Sequence, residues 1–283
     1  MIEIGKYHTL EVAKVLDFGV YLDAGDAGLI LLPIRYAPEN CEPGDSLNVF
    51  VYLDNEERLI ATTQKPYAQV GDFAALEVLS IEYQGAFLDW GLMKNVLLPF
   101  REQRTPVKQG DKVVVYIYID EKSDRITASA KVEKFAVKGM PDLYENQGVE
   151  VLIYEQTKLG YKTIVNNKYL GLIYGNEVFR PIQLGMKTTA YIKQIRSDFK
   201  IDLVLEKPGP GKITDFTSVI LDKLQQSRGF LPFTDKTAAG EIYESLSMSK
   251  KNFKKAVGSL YRQRIIDIDD AGIQLTKKDS TDS

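Results

Sequence analysis

Leu10-Glu11-Val12 followed by Gly19-Val20-Tyr21-Leu22-Asp23 returns 66 residues later as Leu76-Glu77-Val78 followed by Gly85-Ala86-Phe87-Leu88-Asp89. The same interval carries Gly5 to Gly71, Pro33 to Pro99, Gly44-Asp45 to Gly110-Asp111 and Asp54 to Asp120. Landmarks held at one spacing identify an internal repeat, which has to be recognised before any element is assigned. A third, weaker copy lies 75 to 77 residues further on: Gly148 follows Gly71, Gly160 follows Gly85, and Gly185 follows Gly110. Within the copies the apolar residues alternate. Leu47, Val49, Val51 and Leu53 face one way, which predicts a half-buried strand. In the run 113–119, Tyr116 and Tyr118 fall on the face opposite Val115 and Ile117. About five such strands per unit, bounded by Gly, Pro, Asn and Asp, suit a small closed barrel of the oligonucleotide/oligosaccharide-binding (OB) type.

After Pro208-Gly209-Pro210-Gly211, read as a hinge, the apolar period changes from two to three or four. Thr214-Asp215 is expected to cap a helix running to about Gln226, with Phe216, Val219, Ile220 and Leu224 on one side. Thr234-Asp235 is expected to cap a second helix carrying Ala238, Ile242 and Leu246. A third begins near Ser249 and turns Phe253, Val257, Leu260 and Ile265 inward. Lys251, Lys255 and Arg262 share its exposed face, being four and seven apart. Asp269-Asp270-Ala271-Gly272 then makes a hairpin turn, or wing. The fold class is mainly β with a C-terminal α/β part. Three tandem five-stranded OB-fold barrels, over 1–66, 67–140 and 141–209, precede a winged-helix domain over 210–283, whose third helix occupies the recognition position.

The chain has 283 residues, 36 Lys+Arg against 39 Asp+Glu, and a net charge of −3. That balance argues against a uniformly basic nucleic-acid coat or a membrane-surface protein, so any basic site is local. The one cysteine, Cys41, excludes an internal disulfide and cysteine-rich zinc clusters. The one histidine, His8, excludes histidine-based triads and zinc hydrolases. Gly209-Pro210-Gly211-Lys212-Ile213 fails as a phosphate loop because Ile213 stands where Ser or Thr is required and Glu206 where the first glycine belongs. The carboxylate pairs Asp269-Asp270 and Glu56-Glu57 read as solvated turn residues. No catalytic residue, metal or cofactor is assigned, and the expected protein is not an enzyme. With no export signal in its first residues and its longest apolar run ending at strand length, a cytoplasmic protein is expected, without a membrane partner. Nothing in the sequence fixes an oligomeric state.

A glycine-aspartate start, an aromatic-glycine-x-aromatic turn, a Gly-Leu-Ile strand and a closing strand such as Arg125-Ile126-Thr127-Ala128-Ser129 resemble the S1-like RNA-binding domain. Three copies followed by this tail are similar to the conserved virulence factor B family of bacterial RNA-binding regulators, whose tail is likewise winged-helix. The stretch from Ser249 to Tyr261 carries that part of the likeness. The resemblance implies three S1-like barrels with stacking aromatics and a basic residue opening the last strand. In the first copy these are Phe18, Tyr21 and Arg58, and in the second Phe87 and Arg125, with Gln84 in the first aromatic slot and Tyr83 one place off. A histidine of the family pattern is replaced by Leu31 and Leu98, and in the third copy Tyr174 takes that position while Lys200 takes the basic one. The third turn reads Leu159-Gly160-Tyr161-Lys162.

Charge divides the units. Residues 1–66 carry net −6, 67–140 net 0, 141–212 net +2 and 213–283 net +1. Phosphate contacts dominate non-specific affinity, so the first unit is a poor polyanion surface and the third unit with the tail is a better one. Single strands are held by rings that stack on bases and cations that follow the backbone. The leading candidates are therefore Tyr161, Lys162, Lys168, Tyr169, Tyr174, Tyr191, Lys193 and Lys200 on the third barrel. Lys250, Lys251, Lys254, Lys255 and Arg262 join them from the third tail helix. Phe18, Tyr21, Arg58, Tyr83, Phe87 and Arg125 are weaker candidates, since a ring at strand spacing is often a core or rim residue. The expected function is non-enzymatic binding of single-stranded RNA in post-transcriptional regulation. Two alternatives stay open: a winged-helix DNA-binding regulator, and an adaptor to the ribosome or to RNA-processing and degradation machinery.

Overall fold

A computed structural model describes residues 1–178, 180–207, 211–246 and 248–276. Among these the first barrel comprises β1 (Lys6–Leu16), β2 (Gly19–Asp23), β3 (Leu29–Pro33), β4 (Ser46–Leu53) and β5 (Leu59–Thr62). The second comprises β6 (Phe73–Glu82), β7 (Gly85–Asp89), β8 (Val96–Pro99), β9 (Lys112–Asp120) and β10 (Arg125–Ser129). The third comprises β11 (Gly148–Thr157), β12 (Gly160–Val165), β13 (Tyr169–Tyr174), β14 (Lys187–Ile195) and β15 (Ile201–Val204). Each closes in the order first, second, third, fifth, fourth strand, with the third and fifth strands parallel and the rest antiparallel, which is the OB arrangement.

The repeated glycines explain why three divergent copies share this geometry. Gly44, Gly110 and Gly185 stand at φ 96°, 84° and 78°. Their N–H groups donate to Val12, Val78 and Ile153 at 2.8, 2.8 and 2.7 Å. Each contact lies at a register shift in the first strand, between Val12 and Lys14, Val78 and Ser80, and Ile153 and Glu155. The bulge bends that long strand so that it can pair on both sides and close the barrel. Gly19, Gly85 and Gly160 do a second job, because a Cβ at these positions would meet the backbone oxygens of Leu32, Leu98 and Ile173.

The barrels are packed against one another. Val49 and Val51 point into the first core as the alternation predicts, but Phe50 and Tyr52 on the other face of β4 are buried as well. Phe50 lies edge-on to Trp90 of the second barrel, with ring centroids 5.7 Å apart. The strand is therefore covered on both faces rather than half-buried. Between the second and third barrels Phe73, Val114, Val132, Leu152 and Ile164 form a separate apolar cluster. Tyr116, outward on β9, stacks on Phe135 at 4.3 Å. The Asn167 side chain accepts the Phe73 N–H at 2.7 Å and donates to Asp72 at 2.9 Å across the same seam.

The tail contains α1 (Gly211–Gln226), β16 (Phe230–Leu231), α2 (Ala239–Leu246), α3 (Lys250–Arg262), β17 (Ile266–Ile268) and β18 (Ile273–Leu275), the last two paired across the wing turn. Ile220, Leu224, Ile242, Leu246, Phe253, Leu260, Ile266 and Ile273 share its core. Residues 208–210 of the expected hinge lie outside the described residues. The first helix starts at Gly211, ahead of the expected Thr214-Asp215 cap. Thr234 does not cap the second helix, which starts at Ala239. Its N–H donates to Thr237 at 2.8 Å and its hydroxyl accepts the Lys236 N–H at 3.1 Å, closing a local turn.

Candidate nucleic-acid interface

The third tail helix is built as its sequence requires. The Ser249 hydroxyl accepts the Asn252 N–H at 3.1 Å, and Phe253, Ala256, Val257 and Leu260 bury one stripe. Lys251 and Lys255 stand exposed on the remaining surface, and Lys250 is half-buried. These three face the third barrel across a cleft of about 950 Å³, whose far wall includes Lys158, Tyr161, Asn176, Glu177, Arg180 and Val204. Of the candidates far apart in sequence, the cleft brings Lys250, Lys251 and Lys255 together with Tyr161 alone of the third-barrel group. Five cations line this cleft, against one carboxylate among the described lining residues. That carboxylate, Glu177, spends Oε1 on Lys193 at 2.6 Å, while Oε2 is buried with no hydrogen-bond partner among the described residues. A buried acceptor left unpaired costs free energy. Sequence reading missed Arg180, which donates to the Thr188 hydroxyl at 3.0 Å and lies between repeat landmarks with no motif around it.

The other third-barrel candidates are not among the residues that line the cleft. Lys162 pairs with Glu155 at 2.9 Å and Glu133 at 3.6 Å at the seam with the second barrel. Lys168 sits at the same seam, its carbonyl accepting the Val137 N–H at 2.8 Å. Tyr169 is half-buried on the barrel core, as is part of Tyr161. Tyr191 is also half-buried, its ring over the bare backbone of Gly148. Lys193 stands 6.0 Å over the Tyr174 ring, and the Tyr174 hydroxyl accepts from Arg196 at 3.2 Å. Lys200 pairs with Asp198 at 3.0 Å. On α3, Lys254 leans toward Asp235 at 4.0 Å, and Arg262 donates to the Gly258 carbonyl at 3.1 Å and is not among the residues that line the cleft.

Strand register corrects two equivalences. Tyr21 pairs with Leu31, Phe87 with Leu97 and Lys162 with Leu172. The second-barrel counterpart of Leu31 is therefore Leu97 rather than Leu98. Tyr174 pairs with Gly160, as Pro33 does with Gly19 and Pro99 with Gly85, so it occupies the proline position and not the histidine position. Close backbone approach fixes the glycine, and the glycine fixes the register.

On the first barrel Phe18 is 57% exposed and lies edge-on to Tyr21 at 6.2 Å, with Lys14 4.6 Å over the Tyr21 ring. Arg58 is held by Asp54 at 2.8 Å and Glu56 at 2.7 Å. On the second barrel Tyr83 is exposed beside Gln84, its hydroxyl accepting from that amide. Phe87 and Arg125 line a groove of about 440 Å³ that also takes Tyr52 and Glu57 from the first barrel. Glu57 forms an ion pair with Arg125 there. Among the described residues no group of three or more His, Cys, Asp or Glu is placed to hold a metal ion, and no helix is long and apolar enough to cross a membrane.

The S1 domain family model matches residues 4–64 and 70–131, and the CvfB-like winged helix domain model matches residues 218–275. The third closed barrel lies between these matches. Uncharacterized protein YitL of Bacillus subtilis is 28% identical over 267 residues, covering 91% of this chain and 89% of that protein. Conserved virulence factor B of Staphylococcus haemolyticus is 28% identical over 248 residues, covering 85% of this chain and 83% of its own length. A solved multidomain protein with nucleic acid binding domains from Streptococcus pneumoniae is 22% identical, covers 96% of this chain and 98% of its own, and superposes with a TM-score of 0.43.

Proposed function

From a chain that belongs to the conserved virulence factor B family, with two matched S1 domains, a third barrel and a CvfB-like winged helix, we propose a non-enzymatic regulator that binds single-stranded RNA. These domains are of the nucleic-acid-binding type and not of a known enzyme family. The observation that carries the reading is the cleft between the third barrel and α3, which Lys158, Arg180, Lys250, Lys251 and Lys255 line together with Tyr161. Cations in that number follow a phosphate backbone. The first barrel, net −6, serves as a spacer or protein-docking surface in this reading.

Duplex DNA is the less favoured ligand. A winged helix that grips a duplex sets its wing near phosphates, and this wing carries exposed Asp267, Asp269 and Asp270. The test is the full chain with Lys251→Ala and Lys255→Ala, titrated by fluorescence anisotropy against single-stranded RNA and duplex DNA over a range of salt. Loss of two phosphate contacts should flatten the slope of log affinity against log salt by about 1.4 for the single strand. An unchanged slope, or wild-type preference for the duplex, would count against the assignment.

A further inference from the structure

Each barrel joins its fourth and fifth strands by the same kind of turn, and the three turns differ in chemistry. They read Asp54-Asn55-Glu56-Glu57-Arg58, Asp120-Glu121-Lys122-Ser123-Asp124-Arg125 and Arg196-Ser197-Asp198-Phe199-Lys200, with net charges of −2, −1 and +1. Backbone pairing fixes the equivalence: Asp54 N–H donates to the Arg58 carbonyl and Arg196 N–H to the Lys200 carbonyl, both at 2.9 Å, and Asp120 pairs with Arg125. In each turn the residue before the basic one adopts positive φ: 64° at Glu57, 53° at Asp124 and 63° at Phe199.

Short polar residues enter that left-handed region more readily than bulky ones, and a phenylalanine there is an outlier. Its ring gains little cover in return, since Phe199 is 45% exposed. At the opening of the turn the carboxylates of Asp54 and Asp120 give way to the guanidinium of Arg196. Arg196 donates its Nε to the buried Asp202 at 2.9 Å and one Nη to Tyr174 at 3.2 Å. The third barrel has thus exchanged two acids for a presented ring and a cation, the pair of groups that receives a base and its phosphate.

The turn also stands on a surface that leads to the cleft. Alternation along β15 puts Lys200, Asp202 and Val204 on one face, and Val204 lines the cleft opposite α3. Lys200 to Val204 spans about 13 Å of extended chain. We propose that this turn is a base-stacking subsite, in which a nucleobase of single-stranded RNA lies on the Phe199 ring while the neighbouring phosphate meets Arg196 and Lys200. This rests on the reading that the third barrel and α3 hold a single strand.

The experiment uses the full chain and a short oligoadenylate RNA. Phe199→Gly removes the ring and frees the backbone, so it should weaken binding about tenfold or more while the melting temperature holds or rises. Phe199→Trp should bind like the wild type, and its added fluorescence should be quenched by the RNA. Wild-type affinity in Phe199→Gly, or no quenching in Phe199→Trp, overturns the subsite. If wild-type binds and these variants do not differ from it, the cleft reading survives alone; if the wild type does not bind the RNA, both fail.

Discussion

At the seam of the second and third barrels Glu133 accepts from Arg104 at 2.6 Å and from the Tyr154 hydroxyl at 3.3 Å, with Lys162 at 3.6 Å. Burial pushes its carboxyl upward, but its own backbone N–H and the Arg104 and Lys162 charges outweigh that and hold it below the usual range. A lowered folded value means a stabilising contribution that is complete above the unfolded value near 4.5 and disappears as pH falls through the folded one. Glu133→Gln should therefore lower the melting temperature at neutral pH by about 3 °C, and the gap should close in acid, which calorimetry across pH can follow. This network also shows why Lys162 was legible only as a cation beside a tyrosine. Its partners are Glu155, across the bulged pair of strands, and Glu133, in the preceding unit, and no local spacing announces either. Phe199 was passed over although aligning Lys200 with Arg58 and Arg125 sets it opposite Glu57 and Asp124; its left-handed backbone is what the sequence does not display.

Among elements, α3 was the most legible, because cap, stripe and turn point to the same boundaries. Ser249→Ala should cost about 1 kcal/mol in chemical denaturation, since the Asn252 N–H loses its acceptor. The first tail helix was legible in Phe216, Ile220 and Leu224 but not in its start, nor in Val219, which is exposed. Thr and Asp are good caps wherever a helix begins, and here Thr214 and Asp215 fall inside one. Strand β4 was legible in its inward face. The burial of its outward Phe50 and Tyr52 was not legible, because alternation within a strand carries no information about a neighbouring barrel. The third barrel's register slipped for want of an anchor, which the contact of Gly160 with the Ile173 carbonyl supplies.

For the molecule as a whole, the 66-residue period and its looser third copy at 75 to 77 residues disclosed the barrels and their order, while the contacts between them left no trace in the repeat. The groove between the first two barrels is an instance. Glu57 reaches out of the acidic unit to neutralise Arg125, a cation that the S1 resemblance assigns to nucleic acid. Glu57→Gln should strengthen RNA binding by the full chain up to about fivefold at low salt, with the gain fading as salt rises. Titration of Glu57→Gln alone and with Arg125→Ala checks this, because the second change should cancel the first. The seams have a further mechanical meaning. With Phe50 set against Trp90 on one side and Phe73, Leu152 and Ile164 interlocked on the other, the units cannot swivel like beads on a thread. The three barrels form a stiff gauge, and the flexible polymer proposed to lie along them would take up their spacing.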